Sequence, residues 1–123
     1  MNIEFKSFNN YKKGILYNQL IDSYSFNSKW QEQFDNEWKD YDEFIYNNLK
    51  FTNDCGFITI LNGKPIGHIS WDPRNLLEYV QIGHNCIVTK YKGNGYGKMQ
   101  LEEAIKRIKL YNGIKKIMKL KVG

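Results

Sequence analysis

Several things are scarce in this chain. It has two cysteines, Cys55 and Cys86, each inside an apolar, strand-like segment. Two isolated thiols argue against a disulfide-framed scaffold and fit a reduced, cytoplasmic setting. No Cys/His spacing reads as a metal site, so no metal is expected. The apolar runs are far too short to span a bilayer. The N-terminal stretch MNIEFKSFNN lacks the apolar core of a secretory signal. Only two of the eighteen basic residues, Arg74 and Arg107, are arginine. Arginine is the usual bidentate reader of base edges, so sequence-specific DNA reading is disfavoured. There is no repeat, low-complexity tract or linker. The 123 residues therefore read as one domain, 1–123, with neither nucleic acid nor membrane as a partner.

The charge is unevenly placed. The chain carries net +5, yet residues 90–123 hold ten Lys/Arg against two Glu, while residues 1–50 are slightly acidic. A basic stretch of this kind serves nucleic acid, an anionic membrane or a phosphorylated small molecule.

The periodicities predict a short strand near Ile3 and Phe5, a helix over 11–23, and a second helix from about Trp30 to Leu49. Trp30, Phe34, Trp38, Tyr41 and Ile45 form one stripe of that second helix, the pattern of a core-facing side. Two β-rich runs, 55–61 and 65–71, flank Asn62-Gly63, which suits the two positive-φ positions of a type I′ hairpin. Asp72-Pro73 opens a loop. Residues 80–89 are apolar on both faces around Cys86, Ile87 and Val88, as a covered strand is, and Gly83 inside them suggests a bulge. A helix over 97–111 buries Leu101, Ala104, Ile105, Ile108 and Tyr111, with Glu102–Lys106 and Glu103–Arg107 pairs on its exposed side. Asn112-Gly113 suits its end. The run IKKIMKLKV is a last strand.

Between strand and helix stands KYKGNGYGK, residues 90–98. Gly93, Gly95 and Gly97 let the backbone turn sharply and approach a ligand closely. The unpaired amides and positive dipole end of the following helix make an anion cradle, to which Lys92 and Lys98 add charge. A glycine turn that binds nothing has the same composition. The dinucleotide fingerprint G-x-G-x-x-G fails at its third glycine, and the P-loop fails because Met99 follows Lys98.

This stretch resembles the GNAT N-acetyltransferase family, whose signature is Arg or Gln, two residues, Gly, one residue, then Gly or Ala. Here it reads Lys92-Gly93-Asn94-Gly95-Tyr96-Gly97, with Lys in the Arg/Gln place. The order strand, two helices, hairpin, strand, glycine loop, helix agrees over about residues 2–120. The resemblance implies an α/β (α+β) fold with a mixed, mostly antiparallel sheet flanked by helices. It implies acetyl-CoA as co-substrate and an amine of a small molecule or protein as acceptor, attacked directly. It assigns the pyrophosphate to Lys92, Gly93, Asn94, Gly95, Tyr96, Gly97 and Lys98, and the pantetheine arm to the backbone around Ile87 and Val88.

Two departures follow from the same resemblance. Many members carry a glutamate base on the central strand where this chain has Gln81, which cannot take a proton. His84, on the same strand, is the candidate catalytic base, although a hydrogen-bonded strand histidine looks the same in sequence. His68 reads as structural and Glu78 as a weaker candidate. Asp72 and Arg74 read as loop chemistry. Family members usually continue with another helix and a final β-hairpin, which this chain, ending within or just after its fifth strand, is expected to lack. Their lack implies an exposed strand edge that a second copy would cover, giving a homodimer or a strand exchange. It also leaves, as the alternative to an active enzyme, a coenzyme A-binding module without catalysis.

Overall fold

The computed structural model describes residues 2–75, 78–110 and 117–119. The elements run β1 (Ile3–Lys6), α1 (Ile15–Ser23), α2 (Ser28–Asn47), a single-turn α3 (Leu49–Thr52), β2 (Gly56–Leu61), β3 (Lys64–Asp72), β4 (Val80–Ile87), α4 (Tyr96–Ile108) and β5 (Ile117–Lys119). The strands lie in sequence order in one sheet. Strands β1 to β4 pair antiparallel, and β5 pairs parallel to β4. This is the mixed, mostly antiparallel sheet expected from the resemblance.

The alternation of β2 sorts the core onto two faces. Phe57 packs with Ile69, Trp71, Val80, Ile82 and the α4 residues Ala104 and Ile108. Its neighbour Ile58 packs with Ile60, Phe8, Leu16 of α1 and Ile45 of α2. Leu20, Trp38 and Cys86 continue the α1–α2 side. Helices α1 and α2 therefore cover one face and α4 the other, so β2 is buried along its whole length.

The hairpin forms as its sequence demands, with φ of 49° at Asn62 and 83° at Gly63. The aromatic stripe of α2 is core at Trp38 and Ile45, half-buried at Phe34 and Tyr41, and emerges at Trp30, which is 38% exposed. Two helix ends differ from the sequence expectation. Residues 11–14 are not helical, because α1 begins only after Gly14, whose φ is 107°. Helix α4 ends at Ile108. Tyr111, the Asn112-Gly113 stop and most of the IKKIMKLKV strand lie outside the described residues, as does the rest of the edge expected to recruit a second copy.

Gly14 has no side chain with which to cap α1. Asp42 of α2 does it instead. Its carboxylate accepts from Gly14 N at 2.8 Å and Tyr17 N at 3.0 Å while only 2% exposed. The cap also ties α1 to α2. Asp42→Ala is expected to cost about 2 kcal/mol, since two part-buried amides lose charge-assisted acceptors. Asp42→Asn, which keeps one acceptor oxygen, should cost less. Urea denaturation followed by circular dichroism tests this, and equal midpoints for Asp42→Ala and the parent would refute it.

Candidate functional site

The glycine loop enters α4 in the geometry its composition suggested. Gly93 and Gly95 adopt φ of 79° and 84°, in the left-handed region that glycine occupies cheaply. A Cβ built on either would meet nothing within 4 Å, so this backbone borders open space. Gly95 is the residue ahead of α4. It supplies no side-chain cap, and the first turn carries no acidic residue. The leading amides and the positive dipole end thus face outward without a competing anion. Lys98 is exposed beside them. Asn94 folds back, its amide donating to the Tyr91 and Lys92 carbonyls at 3.2 Å each. The Tyr91 and Tyr96 rings meet edge to face at 6.4 Å. Lys92 behaves differently from a free point charge. Its ammonium donates to the Ser23 carbonyl at the end of α1 and sits 5.0 Å from the centre of the Phe26 ring. It pins the loop to α1, leaving its backbone to the cradle.

A buried clamp fixes α4 against the sheet. Gln100 is fully buried, and its amide nitrogen donates to His68 O at 2.7 Å, Asn85 Oδ1 at 2.8 Å and Cys86 O at 3.2 Å. Its amide oxygen accepts from Thr59 Oγ1 at 2.6 Å. Asn85 in turn donates to the Gly97 carbonyl at 3.2 Å. The first turn of α4 is therefore held to β4 by named hydrogen bonds as well as by packing. The stripe expected from Leu101, Ala104, Ile105 and Ile108 missed Gln100. Its spacing of four from Ala104, which is itself four from Ile108, placed it on the buried side, but its polarity hid it.

Strand β4 borders the cradle. Its pairing with β5 is described at Val80, Gln81 and Ile82 only, so Gly83–Ile87 runs past the described part of β5. Val88 donates its N–H to Ile66 O at 2.8 Å and accepts from Tyr91 N at 3.0 Å. Both of its backbone groups are thus engaged. By strand alternation the N–H and C=O of Ile87 point away from β3, toward the side on which β5 lies. Of the two residues expected to offer strand-like pairing, Ile87 has that geometry and Val88 does not.

The bulge expected at Gly83 is present. Ser70 faces His84 and Trp71 faces Ile82, so Gly83 is the extra residue on β4. The consequence is rephasing. Gln81 and His84 are three apart and would lie on opposite faces of a regular strand. The inserted residue brings both to the α1–α2 face, opposite Asp72 and Ser70. His84 is half-buried there, its ring 4.6 Å from Tyr41 of α2. His68, fully buried, meets Gln19 Oε1 through Nδ1 at 2.7 Å. Burial, and then the neighbouring His84, hold its pKa well below the ordinary histidine value, so it stays neutral. Asp72 accepts three side-chain bonds from Arg74, the shortest 2.6 Å, which makes a local loop clasp. Glu78 is exposed. The thiol of Cys86 is buried and pushed up to about 12, which leaves it unreactive.

The sequence profile of the acetyltransferase (GNAT) family matches residues 17–123. The chain belongs to that family. Solved structures agree on the fold. PH1933 from Pyrococcus horikoshii OT3 is 24% identical, with a TM-score of 0.58 over 90% of this chain and 74% of that one. N-acetylglutamate synthase from Neisseria gonorrhoeae, solved with coenzyme A and N-acetyl-glutamate, is 13% identical. Its TM-score is 0.64 over 98% of this chain and 26% of that one. The PaiA N-acetyltransferase of Thermoplasma acidophilum, solved with coenzyme A, is 16% identical, with a TM-score of 0.57 over 89% and 74%. At these identities the likeness is one of fold. No curated protein matches by sequence. Among the described residues of this GNAT-type acetyltransferase, no helix is long and apolar enough to cross a membrane.

Proposed function

We propose that the chain transfers the acetyl group of acetyl-CoA to an amine, with His84 as the base. One observation carries the cofactor half. Two positive-φ glycines border open space at the end of α4 that has no side-chain cap, next to the stretch of β4 past the described part of β5. That donor set fits a pyrophosphate, which wants amide N–H groups and positive potential. Two fold neighbours were solved with coenzyme A bound, which supports the same reading. Backbone from Lys92 to Lys98 would hold the pyrophosphate, and Ile87 would pair with the pantetheine amides. When bound, acetyl-CoA supplies the activated thioester carbonyl.

The chain's own groups do the rest. The rephased β4 sets His84 beside Gln81 on the face covered by α1 and α2. Gln81 has a carbonyl that can accept from an amine but cannot remove its proton. His84 can, because imidazole exchanges protons in the neutral range. It would take the proton as the amine nitrogen bonds to the acyl carbon; the carbon–sulfur bond then breaks, and the coenzyme A thiolate leaves, taking up a proton from His84 or from water to become the free thiol. A base acts in its neutral form, so activity should rise with pH through the imidazole titration.

Release of coenzyme A thiol, measured with a panel of primary amines, tests this. His84→Ala is expected to lower kcat/KM about 100-fold and to remove the acid limb of the pH profile. An unchanged profile in His84→Ala would sink the base assignment. Tight coenzyme A binding without turnover on any amine would instead mark a coenzyme A-binding module.

A further inference from the structure

Helix α1 ends beside the start of the glycine loop, and each segment lends the other a hydrogen-bonding group. Strand β4 leads into a single 3₁₀ turn, Thr89–Tyr91, shortly before Gly93. The residue ahead of that turn, Val88, supplies no side-chain cap. The leading amide of the turn, Thr89 N, instead donates to Asp22 Oδ1 of α1 at 2.7 Å. In return the loop serves the last carbonyls of α1, which a helix end leaves without partners further along the helix. Thr89 Oγ1 donates to Asp22 O at 2.7 Å, and the Lys92 ammonium donates to Ser23 O. Ser25 adds a second hydroxyl to Asp22 O, also at 2.7 Å. Asp22 and Thr89 stand 67 residues apart in the chain.

We propose that Asp22 is a positioning residue for the pyrophosphate cradle: with Thr89 and Lys92 it forms a two-way latch that sets how the glycine loop leaves β4. The inference rests on the cofactor reading above. The sign of the charge argues for it. A carboxylate in the last turn of a helix meets the negative end of the dipole, where a cation is favoured. An acid beside a loop that receives an anion is likewise unfavourable by charge alone. The bond to Thr89 N is what accounts for Asp22. Lys92 has the opposite sign and suits its place on the Ser23 carbonyl, with the Phe26 ring 5.0 Å away. The latch holds residues 89 and 92, and Asn85 holds the Gly97 carbonyl. Gly93 and Gly95 lie between these anchors. Glycine backbone has wide freedom, so a turn built on it keeps one shape only when its ends are held. Amides already held in the bound arrangement spare the ligand an ordering cost.

Charge and position predict opposite outcomes for one substitution. Asp22→Ala removes a negative charge beside an anion site, which by electrostatics alone would tighten coenzyme A binding. Loss of the latch should instead weaken it about fivefold, measured by calorimetry. The loss should appear in KM for acetyl-CoA, with kcat at saturation within about twofold of the parent. Asp22→Asn keeps an oxygen for Thr89 N and drops the charge. It should bind within about twofold of the parent and melt no lower. Thr89→Val deletes only the hydroxyl, so it reports on the latch even if Asp22→Ala fails to fold, and it should weaken binding by a smaller factor. The loop is also read without ligand. The chain has ten glycines, and in a glycine-selective amide spectrum Gly93→Ala and Gly95→Ala assign the two loop signals. Asp22→Ala should move both, and Asp22→Asn should leave them near their parent positions. Coenzyme A binding in Asp22→Ala as tight as in the parent, or tighter, would overturn the inference with the cofactor reading intact. Loop glycine signals unmoved in both Asp22→Ala and Thr89→Val would also overturn it. If the parent itself binds no coenzyme A, the cofactor reading fails instead, and the glycine signals still decide whether Asp22 sets the loop.

Discussion

Gly95→Glu is expected to abolish coenzyme A binding, weakening it at least 100-fold, or about 2.7 kcal/mol. Two effects act together. Gly95 has φ of 84°, where a side chain is strained by roughly 1–2 kcal/mol. Nothing lies within 4 Å of its built Cβ, so the carboxylate would extend into the space the pyrophosphate needs. There it would compete for the leading amides of α4 itself, since a helix N-terminus favours any anion. Gly95→Ala separates the two effects, because it adds the strain without the charge and should weaken binding by about tenfold at most. Calorimetry with coenzyme A on the parent and both variants decides the matter. If Gly95→Glu binds within threefold of the parent, the pyrophosphate lies elsewhere and the cradle reading is wrong.

The second large effect is on stability. Gln100 fills a polar gap between α4 and the sheet, and its two amide hydrogens are divided among His68 O, Asn85 Oδ1 and Cys86 O. Gln100→Ala should cost about 3–4 kcal/mol, because it opens a cavity and leaves buried carbonyls without a donor. That is a large share of the roughly 5–15 kcal/mol that holds a small domain together. Gln100→Glu should be worse despite its matching shape. It keeps the acceptor for Thr59 but turns a carboxylate oxygen toward three oxygen atoms. Thermal melts at neutral pH test both, and the order matters more than the size. A Gln100→Glu protein at least as stable as Gln100→Ala would mean that the clamp is not wired as described. Because Asn85 also holds Gly97, surviving Gln100 variants should bind coenzyme A more weakly too.

Much of this was legible in the sequence because local chemistry dictates it. Asn62-Gly63 takes positive φ at both positions wherever it closes a two-residue hairpin. The alternating glycines announced a tight turn ahead of a helix, and Gly83 announced a bulge. The hydrophobic periods placed α1, α2 and α4 to within a few residues. Where the structure adds to that reading, the causes are physical. Gly14 delayed α1, because its positive φ cannot belong to the helix interior. The resemblance assigned the pantetheine arm to the backbone around Ile87 and Val88, and the structure engages the Val88 N–H with β3 and its carbonyl with Tyr91. Lys92 read as a charge for the cradle, yet its ammonium neutralises the end of α1.

By itself the sequence determined which backbone conformations were available: where the chain turns, where it coils and where it can approach an anion. These depend on residues close together in the chain, so composition and spacing carry them. Tertiary structure alone decided which distant groups meet. Asp42 caps a helix through Gly14, 28 residues before it, Gln100 answers carbonyls on β3 and β4, and Tyr41 reaches Ser70 and His84. Even the shared face of Gln81 and His84 belongs to this second group. The spacing of three sets them on opposite faces, and only the register with β3, shifted at Gly83, brings them together.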